Sequence, residues 1–205
     1  MSAAQASAGT TMAPEVVETD SLHQIPLGKV AIWWFLASEI MVFGGLITSY
    51  LLMMFAHGGF AEQAVHVKWK LGALNTLVLL TSSMTMILAL ASARKKDLEK
   101  TRMFLGITVL LGLTFLVIKI FFEYIPEIGE GFTPASGMFW SFYFGMTGLH
   151  GVHVFGGIVA NFCLFVYTMR KVDWSLLERR VEYAGLYWHF VDVVWIFLFP
   201  LLYLT

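Results

Sequence analysis

Five long apolar stretches, separated by short polar segments, dominate the pattern of hydrophobic positions along this chain. The stretches cover roughly residues 30–55, 71–92, 103–125, 138–169 and 182–204. A helix needs about 20 apolar residues to cross the hydrocarbon core of a bilayer, and each stretch is long enough. We therefore predict an all-α bundle of five transmembrane helices, in which the long fourth helix tilts or projects beyond the membrane.

The composition also favours lipid as the environment of these stretches. Hydrophobic residues make up 58% of the 205-residue chain and charged residues only 13%, whereas about a quarter of a soluble domain is charged. The net charge of −1 and the lack of a basic stripe argue against a nucleic-acid partner. The single cysteine, Cys163, excludes a disulfide framework and a thiolate metal site. Its apolar neighbours predict a small core residue.

The first 28 residues differ in composition from the rest of the chain. They are rich in Ala, Ser and Thr, mildly acidic and without an apolar run. They lack the basic start and the apolar core of about 7–15 residues that define a signal peptide. We predict a flexible tail over residues 1–28, with His23 in solvent. One five-helix transmembrane domain follows over residues 29–205, because the loops are too short for a second domain.

The distribution of lysine and arginine predicts how the bundle is inserted. If the N-terminus is cytoplasmic, only Lys68 and Lys70 lie in outside loops, and Lys119 lies within the third span. The other ten lie in inside segments: Lys29, Arg94, Lys95, Lys96, Lys100, Arg102, Arg170, Lys171, Arg179 and Arg180. This asymmetry follows the positive-inside rule. We therefore predict a cytoplasmic N-terminus and a C-terminus on the outer, periplasmic side.

Carboxylates interrupt three of the apolar spans. At a rise of 1.5 Å per residue, Glu39 lies roughly 14 Å from the inner edge and Asp192 roughly 15 Å from the same edge. Ionisable groups at that depth are costly, so each marks a candidate site. Near the outer end of the third span, Lys119 and Glu123 are spaced to pair across one helical turn. We interpret that pair as structural.

Three histidines also fall inside the spans. His189 and Asp192 share a helix face and predict a polar pocket, which fixes helix packing, binds a lipid headgroup or handles protons. His150 and His153 invite a haem or metal hypothesis. However, the residue count places His153 roughly 24 Å from the inner edge and His189 only about 10 Å. Because the two ligands of a bis-histidine haem lie at nearly one level, we predict no haem or metal ligand in this chain.

Glycine pairs and closely spaced glycines occur in the first and fourth spans. Such residues let transmembrane helices approach closely, so they predict helix contacts. The glycines concerned are Gly44, Gly45, Gly145, Gly148, Gly151, Gly156 and Gly157.

Five short motifs in a fixed order carry a family resemblance. They are SEIMVF at 38–43, LNTLVLL at 74–80, Glu123-Tyr124, GLHGVH at 148–153 and YWHFVDVVW at 187–195. With these motifs the chain resembles subunit III of the haem–copper respiratory oxidases, from about residue 30 to its end. The longer form of that family has seven helices, and this sequence resembles the short bacterial form, which lacks the first two.

The resemblance implies a subunit with no catalytic or metal-ligating residues. Haem and copper are then expected in partner subunits I and II, with subunit IV or a respiratory supercomplex as further partners. The family's subunit III packs beside subunit I, binds phospholipid in a cleft and supports proton uptake and durability during oxygen reduction. Since that cleft lies between the two missing helices and the other five, a neighbouring subunit is needed to complete it. The implied location is the bacterial inner membrane.

By position, Glu39 matches the intramembrane carboxylate of the family. The other polar positions that the resemblance associates with protons or lipid are Glu123, His150, His153, Glu182, His189 and Asp192.

Several alternative functions are compatible with the residues. We expect the complex to be a haem–copper terminal oxidase of the cytochrome c oxidase type. A quinol oxidase or a nitric oxide reductase with a related subunit is the alternative. A different class, a haem-b electron carrier that uses the histidines, would show a Soret band in the isolated chain. A transporter is disfavoured, because no proline breaks a helix at mid-membrane.

Overall fold

Five long helices make up most of the chain in the computed structural model, which describes residues 27–170 and 172–204 and, at residues 61 and 62, the backbone alone. They are α1 (Leu27–Ala56), α2 (Trp69–Arg94), α3 (Leu98–Gly129), α4 (Met138–Tyr167) and α5 (Trp174–Tyr203). Each is long and apolar enough to cross a membrane. The all-α prediction of five spans is therefore confirmed. A short helix, Ala61–Ala64, lies between α1 and α2.

Residues 1–26, which include His23, and residues 171 and 205 lie outside the described residues. Residues 27 and 28, which we assigned to the tail, already belong to α1. The flexible tail over the preceding residues stays a prediction, as does its boundary with the transmembrane domain.

The fifth helix begins eight residues before the predicted start of its apolar span. Its N-cap is Asp173, whose carboxylate accepts hydrogen bonds from the backbone N–H groups of Ser175 and Leu176. The Ser175 hydroxyl also donates to it, and these bonds lower the pKa of Asp173. The added turns bury Leu177 and Val181. The search for apolar runs missed them, because charged residues lie between these two positions.

Helix α3 changes its hydrogen-bonding pattern near its C-terminal end. It is α-helical over Leu98–Val117, π-helical over Ile118–Tyr124 and α-helical again over Ile125–Gly129. A π-helical turn within an α-helix is rare and is frequently found at functional sites. The π segment contains both Lys119 and Glu123, which are buried.

Helices α2 to α5 form a four-helix core around Trp188 of α5. Trp188 is fully buried, and its indole N–H donates to the Ser82 hydroxyl of α2 at 3.0 Å. The same ring lies against Gly112 of α3 and Gly157 of α4. A Cβ added at Gly112 would come within 2.8 Å of the ring, and one at Gly157 within 2.6 Å. One side chain thus joins all four core helices.

Helix α1 lies on the outside of this core. It packs against α5 and, over fewer residues, α4. Its buried side chains are Leu36, Phe43 and Tyr50, which form a single seam of seven-residue spacing. The remaining faces expose large apolar side chains, including Trp34 and Met41. In a bilayer these faces meet lipid or another subunit.

The predicted glycine contacts hold for only part of the set. Gly157 lies in close contact with Trp188. A Cβ added at Gly156 would lie 3.4 Å from the Tyr187 hydroxyl oxygen. An added Cβ at Gly44, Gly45 or Gly145 would meet no atom within 4 Å. Contacts at these three positions are absent, because their helix faces point away from the core.

The expectation that Cys163 is a core residue is wrong. Its side chain is exposed on α4. Apolar neighbours do not mark the core of a membrane bundle, because the outer faces that meet lipid are as apolar as the interior.

The packing around Trp188 predicts that Gly157→Ala destabilises the bundle. The new methyl group would overlap the indole ring, and overpacking of this kind typically costs about 1–3 kcal/mol. Thermal unfolding of the purified complex in detergent measures the loss. Gly145→Ala, on the same helix with free space around it, serves as the control and should leave the transition unchanged or raise it. Equal effects of the two substitutions would contradict the close contact.

Candidate functional site

Glu39 of α1 and His153 of α4 form a polar pair between the two helices. The carboxylate Oε2 lies 2.9 Å from the imidazole Nε2. The other imidazole nitrogen, Nδ1, lies 2.8 Å from the carbonyl oxygen of Leu149. Because a carbonyl only accepts, Nδ1 carries a hydrogen. The short Nε2–Oε2 contact therefore needs one more hydrogen, which makes the pair either an imidazolium with a carboxylate or a neutral histidine with an acid.

The environment of this pair is partly open. The side chains of Glu39 and His153 are 16% and 14% exposed. Tyr187 of α5 donates its hydroxyl hydrogen to the His153 carbonyl at 2.9 Å, and the Phe43 ring meets the imidazole edge-on. Three helices thus hold one proton-bearing pair next to the lipid-facing surface.

The contact between Glu39 and His153 corrects the predicted depths. The prediction placed His153 roughly 10 Å further from the inner edge than Glu39, and this separation is wrong. Glu39 lies 12 residues after the start of α1, and His153 lies 14 residues before the end of α4. Their depths therefore differ by only about 3 Å. The error came from placing the start of α1 too late and the end of α4 too late.

The predicted difference in depth between His153 and His189, which argued against a haem, is wrong. His189 lies 15 residues after the start of α5 and His153 lies 14 residues before the end of α4, so their depths differ by only about 2 Å. The described residues 27–170 and 172–204 nevertheless contain no group of three or more His, Cys, Asp or Glu side chains placed to hold a metal ion. Both nitrogens of His153 are already engaged. For His153, the partners of its two nitrogens, not its depth, disfavour a role as a haem ligand.

His189 and Asp192 both lie beside Ser83 of α2 and do not bond to each other. His189 Nδ1 lies 2.7 Å from the hydroxyl of Ser83 on α2. The Ser83 side chain also interacts with Asp192, but neither Asp192 oxygen has a partner in hydrogen-bond geometry within the described chain. The polar pocket therefore exists, with Ser83 at its centre, and it leaves a buried carboxyl group unsatisfied.

The register of α1 and α5 places Glu39 and Asp192 at similar levels. Near the start of both helices, Lys29 Nζ lies 3.5 Å from Glu182 Oε1. Glu39 follows Lys29 by ten residues, and Asp192 follows Glu182 by ten residues. Since the helices are parallel, the predicted match in depth agrees with this register. Glu182 itself belongs to the end of the bundle, away from the other candidate residues.

His150 faces the core and not the Glu39 pair. It is fully buried, and both of its ring nitrogens lack a hydrogen-bond partner within the described residues. The ring stacks on Trp195 with centroids 5.1 Å apart and meets Phe115 edge-on. It is three residues from His153 in sequence, but within the described residues it shares none of the polar partners of His153.

The predicted Lys119–Glu123 pair is confirmed and belongs to a larger buried cluster. Lys119 Nζ lies 2.6 Å from Glu123 Oε2 and 3.0 Å from the Tyr143 hydroxyl, and it also contacts the Tyr203 hydroxyl. Tyr203 donates to Glu123 Oε2 at 2.5 Å. The Tyr143 hydroxyl lies 3.0 Å from Glu127 Oε1. We call these five residues the outer cluster, because they lie at the end of the bundle opposite to the start of α1.

Three members of the outer cluster were missed in the sequence. Glu127 was placed in a loop, because the apolar span ends before it, although its spacing of four from Glu123 continues the same helix face. Tyr143 and Tyr203 lie on α4 and α5. Their convergence depends on how the helix ends pair, which one sequence does not reveal.

Five apolar helices with polar groups paired between them define a multi-pass membrane protein. A family profile described as cytochrome c oxidase subunit III matches residues 24–205. Proteins named "Probable quinol oxidase subunit 3" from Staphylococcus aureus (strain USA300) and Staphylococcus haemolyticus (strain JCSC1435) are each 34% identical over 185 residues, which cover 89% of this chain and 90% of the relative.

The chain therefore belongs to the cytochrome c oxidase subunit III family. The resemblance drawn from the five sequence motifs is confirmed, in the five-helix form. As a subunit III the chain is one component of a haem–copper terminal oxidase, which implies other oxidase subunits, and members of this family lack metal centres.

The burial of the outer cluster predicts different roles for two lysine–carboxylate pairs of α3. Lys119→Met leaves Glu123 buried without its cation, and breaking a buried pair in this way costs roughly 3–5 kcal/mol. Lys100, which pairs with Asp97 at 3.0 Å on the surface, provides the control, because exposed pairs contribute little. Thermal unfolding of the detergent-solubilised complex should show a large decrease for Lys119→Met and little change for Lys100→Met. Equal decreases would contradict the assignment.

Proposed function

We propose that this chain is subunit III of a quinol-oxidising haem–copper oxidase in a bacterial inner membrane. Support for the donor comes from the relatives named as quinol oxidase subunits, which match along nearly their whole length. The chain itself carries no redox step in this proposal. It stabilises subunit I, binds phospholipid and supports proton uptake during oxygen reduction.

The Glu39–His153 pair is the observation that carries the proton-related part. It holds a hydrogen between two titratable groups at mid-membrane and is partly exposed. A group that can bind or release a proton there, close to a neighbouring subunit, fits a supporting role in proton delivery. Asp192 lies at a similar level and supplies a second carboxyl group without a hydrogen-bond partner in the described chain.

Grooves beside α1 support the phospholipid part. One groove of about 330 Å³ lies between α1 and the α4–α5 pair, with apolar walls that include Ile32 and Leu164. Arg180 lies at its end nearest the start of α5. A lipid chain fits the apolar walls, and the guanidinium group provides a partner for the phosphate.

We also propose that the N-terminus is cytoplasmic and the C-terminus periplasmic. The start of α1, the end of α2, the start of α3, the end of α4 and the start of α5 share one end of the bundle. Pairs such as Lys29–Glu182 and Arg94–Glu178 lie at that end, and the positive-inside rule places it in the cytoplasm.

Labelling of introduced cysteines tests the orientation. A membrane-impermeant maleimide added to intact spheroplasts should react with a cysteine at Glu130, in the loop between α3 and α4, and should not react with one at Glu99, at the start of α3. Both side chains are exposed. The reverse pattern would contradict the proposed orientation.

The proposed quinol donor predicts which substrate the intact complex oxidises. Purified through a tag on this chain, the complex should contain haem, retain phospholipid and reduce oxygen with quinol in preference to reduced cytochrome c. Oxygen consumption with each donor, together with haem and lipid analysis, measures these properties. Turnover with cytochrome c but not quinol would overturn the donor, and a complex without a haem–copper subunit would overturn the whole proposal.

Removal of the mid-membrane carboxylates predicts a loss of sustained activity without a change in the haems. Glu39→Gln keeps a hydrogen-bonding group beside His153 but removes the titratable one, and Asp192→Asn does the same in the Ser83 pocket. Haem spectra should stay as in the wild type, while turnover, active lifetime or retention of this subunit decreases. Glu182→Gln, in the partly exposed pair with Lys29, is the control. If Glu39→Gln and Asp192→Asn match the wild type in all three measurements, both residues are passive packing groups.

A further inference from the structure

The outer cluster contains one cation and two carboxyl groups. Lys119 is the sole lysine or arginine that is buried within residues 27–170 and 172–204. Glu123 and Glu127 are both at most 1% exposed. If both carboxyl groups were ionised, the cluster would carry one uncompensated negative charge in the interior. Such a charge is costly unless a second cation or a proton neutralises it.

Counting hydrogen-bond donors shows which oxygens are satisfied. The three ammonium hydrogens of Lys119 are directed at Glu123 Oε2 and the hydroxyls of Tyr143 and Tyr203. Tyr203 donates its hydrogen to Glu123 Oε2, and Tyr143 has one hydrogen for either Glu123 Oε2 or Glu127 Oε1. Glu123 Oε1 and Glu127 Oε2 have no partner within the described residues. Each carboxyl group thus has one buried oxygen without a hydrogen-bond donor.

We propose that Glu123 and Glu127 together bind one proton, which makes the outer cluster a proton-binding site. One carboxylate oxygen forms an O–H bond with a proton taken from solution, and no other bond forms or breaks. The acid on one glutamate then donates a hydrogen bond to the free oxygen of the other, four residues away. This arrangement satisfies both oxygens and leaves Lys119 paired with a single negative charge.

The position of the cluster allows exchange with the aqueous phase at its own end of the bundle. Glu127 lies two residues before the end of α3, and Glu130 beyond it is exposed. Lys68, which is only partly buried, acts on Glu127 electrostatically. The titratable groups that face the two glutamates are Lys119 and Tyr124 of α3, Tyr143 of α4, Tyr203 of α5, and Lys68 before α2.

The proton site is separate from the Glu39–His153 pair and does not depend on the proposed function. Glu39 and His153 connect α1 to α4, whereas the outer cluster connects α3, α4 and α5. Loss of quinol oxidation or of lipid from the complex would therefore not bear on it.

Infrared spectroscopy of the intact oxidase complex tests the proposal. Near neutral pH the wild type should show the C=O band of a protonated carboxylic acid, and Glu127→Gln should lose one such band. Glu123→Gln should lose the same band, because Glu127 then becomes the anion paired with Lys119. The control Glu130→Gln, an exposed carboxyl group three residues from Glu127, should keep it. A spectrum that is identical in wild type, Glu123→Gln and Glu127→Gln would overturn the shared proton.

Assembly provides a second measurement. Because an amide resembles a neutral acid in shape and charge, Glu127→Gln should stay in the complex in wild-type amount. If Glu127→Gln is lost from the complex while Glu130→Gln is retained, the negative charge of Glu127 is needed and the proposal fails. Lys119→Met, if it assembles, should gain an acid band, because no cation remains to stabilise the second carboxylate. Lack of that gain in an assembled Lys119→Met complex would also overturn the proposal.

Discussion

The contact of Trp188 with its three neighbouring helices is the interaction on which the rest of the bundle depends. A transmembrane helix gains little from hiding apolar side chains, because lipid is equally apolar, so close packing and interhelical hydrogen bonds have to hold the helices together. Trp188 supplies both, with its ring against Gly112 and Gly157 and its N–H on Ser82. Once these positions are occupied, the registers of α2, α3 and α4 against α5 are fixed.

Helix α1 is attached to the outside of this core. Its seam includes aromatic contacts, the close approach of Gly28 to the Tyr183 ring, and the polar links of Lys29 to Glu182 and Glu39 to His153. The second link lies where water is scarce, so it is worth more than a surface pair. The Glu39–His153 pair therefore also attaches α1 to α4.

Sequence reasoning found the features that depend on local order and missed those that depend on which helix ends meet. The apolar runs predicted all five helices, and the four-residue spacing predicted the Lys119–Glu123 pair. The family followed from five motifs, among them the string around Trp188. The start of α5 was misplaced, because Glu178, Arg179 and Arg180 interrupt the apolar pattern while the helix continues through them. That error carried over into the depth of His189, and smaller ones in α1 and α4 carried over into the depths of Glu39 and His153. Glu127 was left out of its helix for the same reason.

The π-helical segment of α3 sets the rotation of the helix end that follows it. In an α-helix, each step of four residues turns the helix about 40° beyond a full rotation, so Lys119, Glu123 and Glu127 would drift apart around the surface. The wider π turn takes up part of that drift and leaves all three buried. If the same residues between Ile118 and Tyr124 continued as an ordinary α-helix, everything beyond them would be turned by about 100°. The hydrogen-bonding pattern of this segment, as much as the identity of its residues, therefore decides whether Glu127 faces protein or lipid.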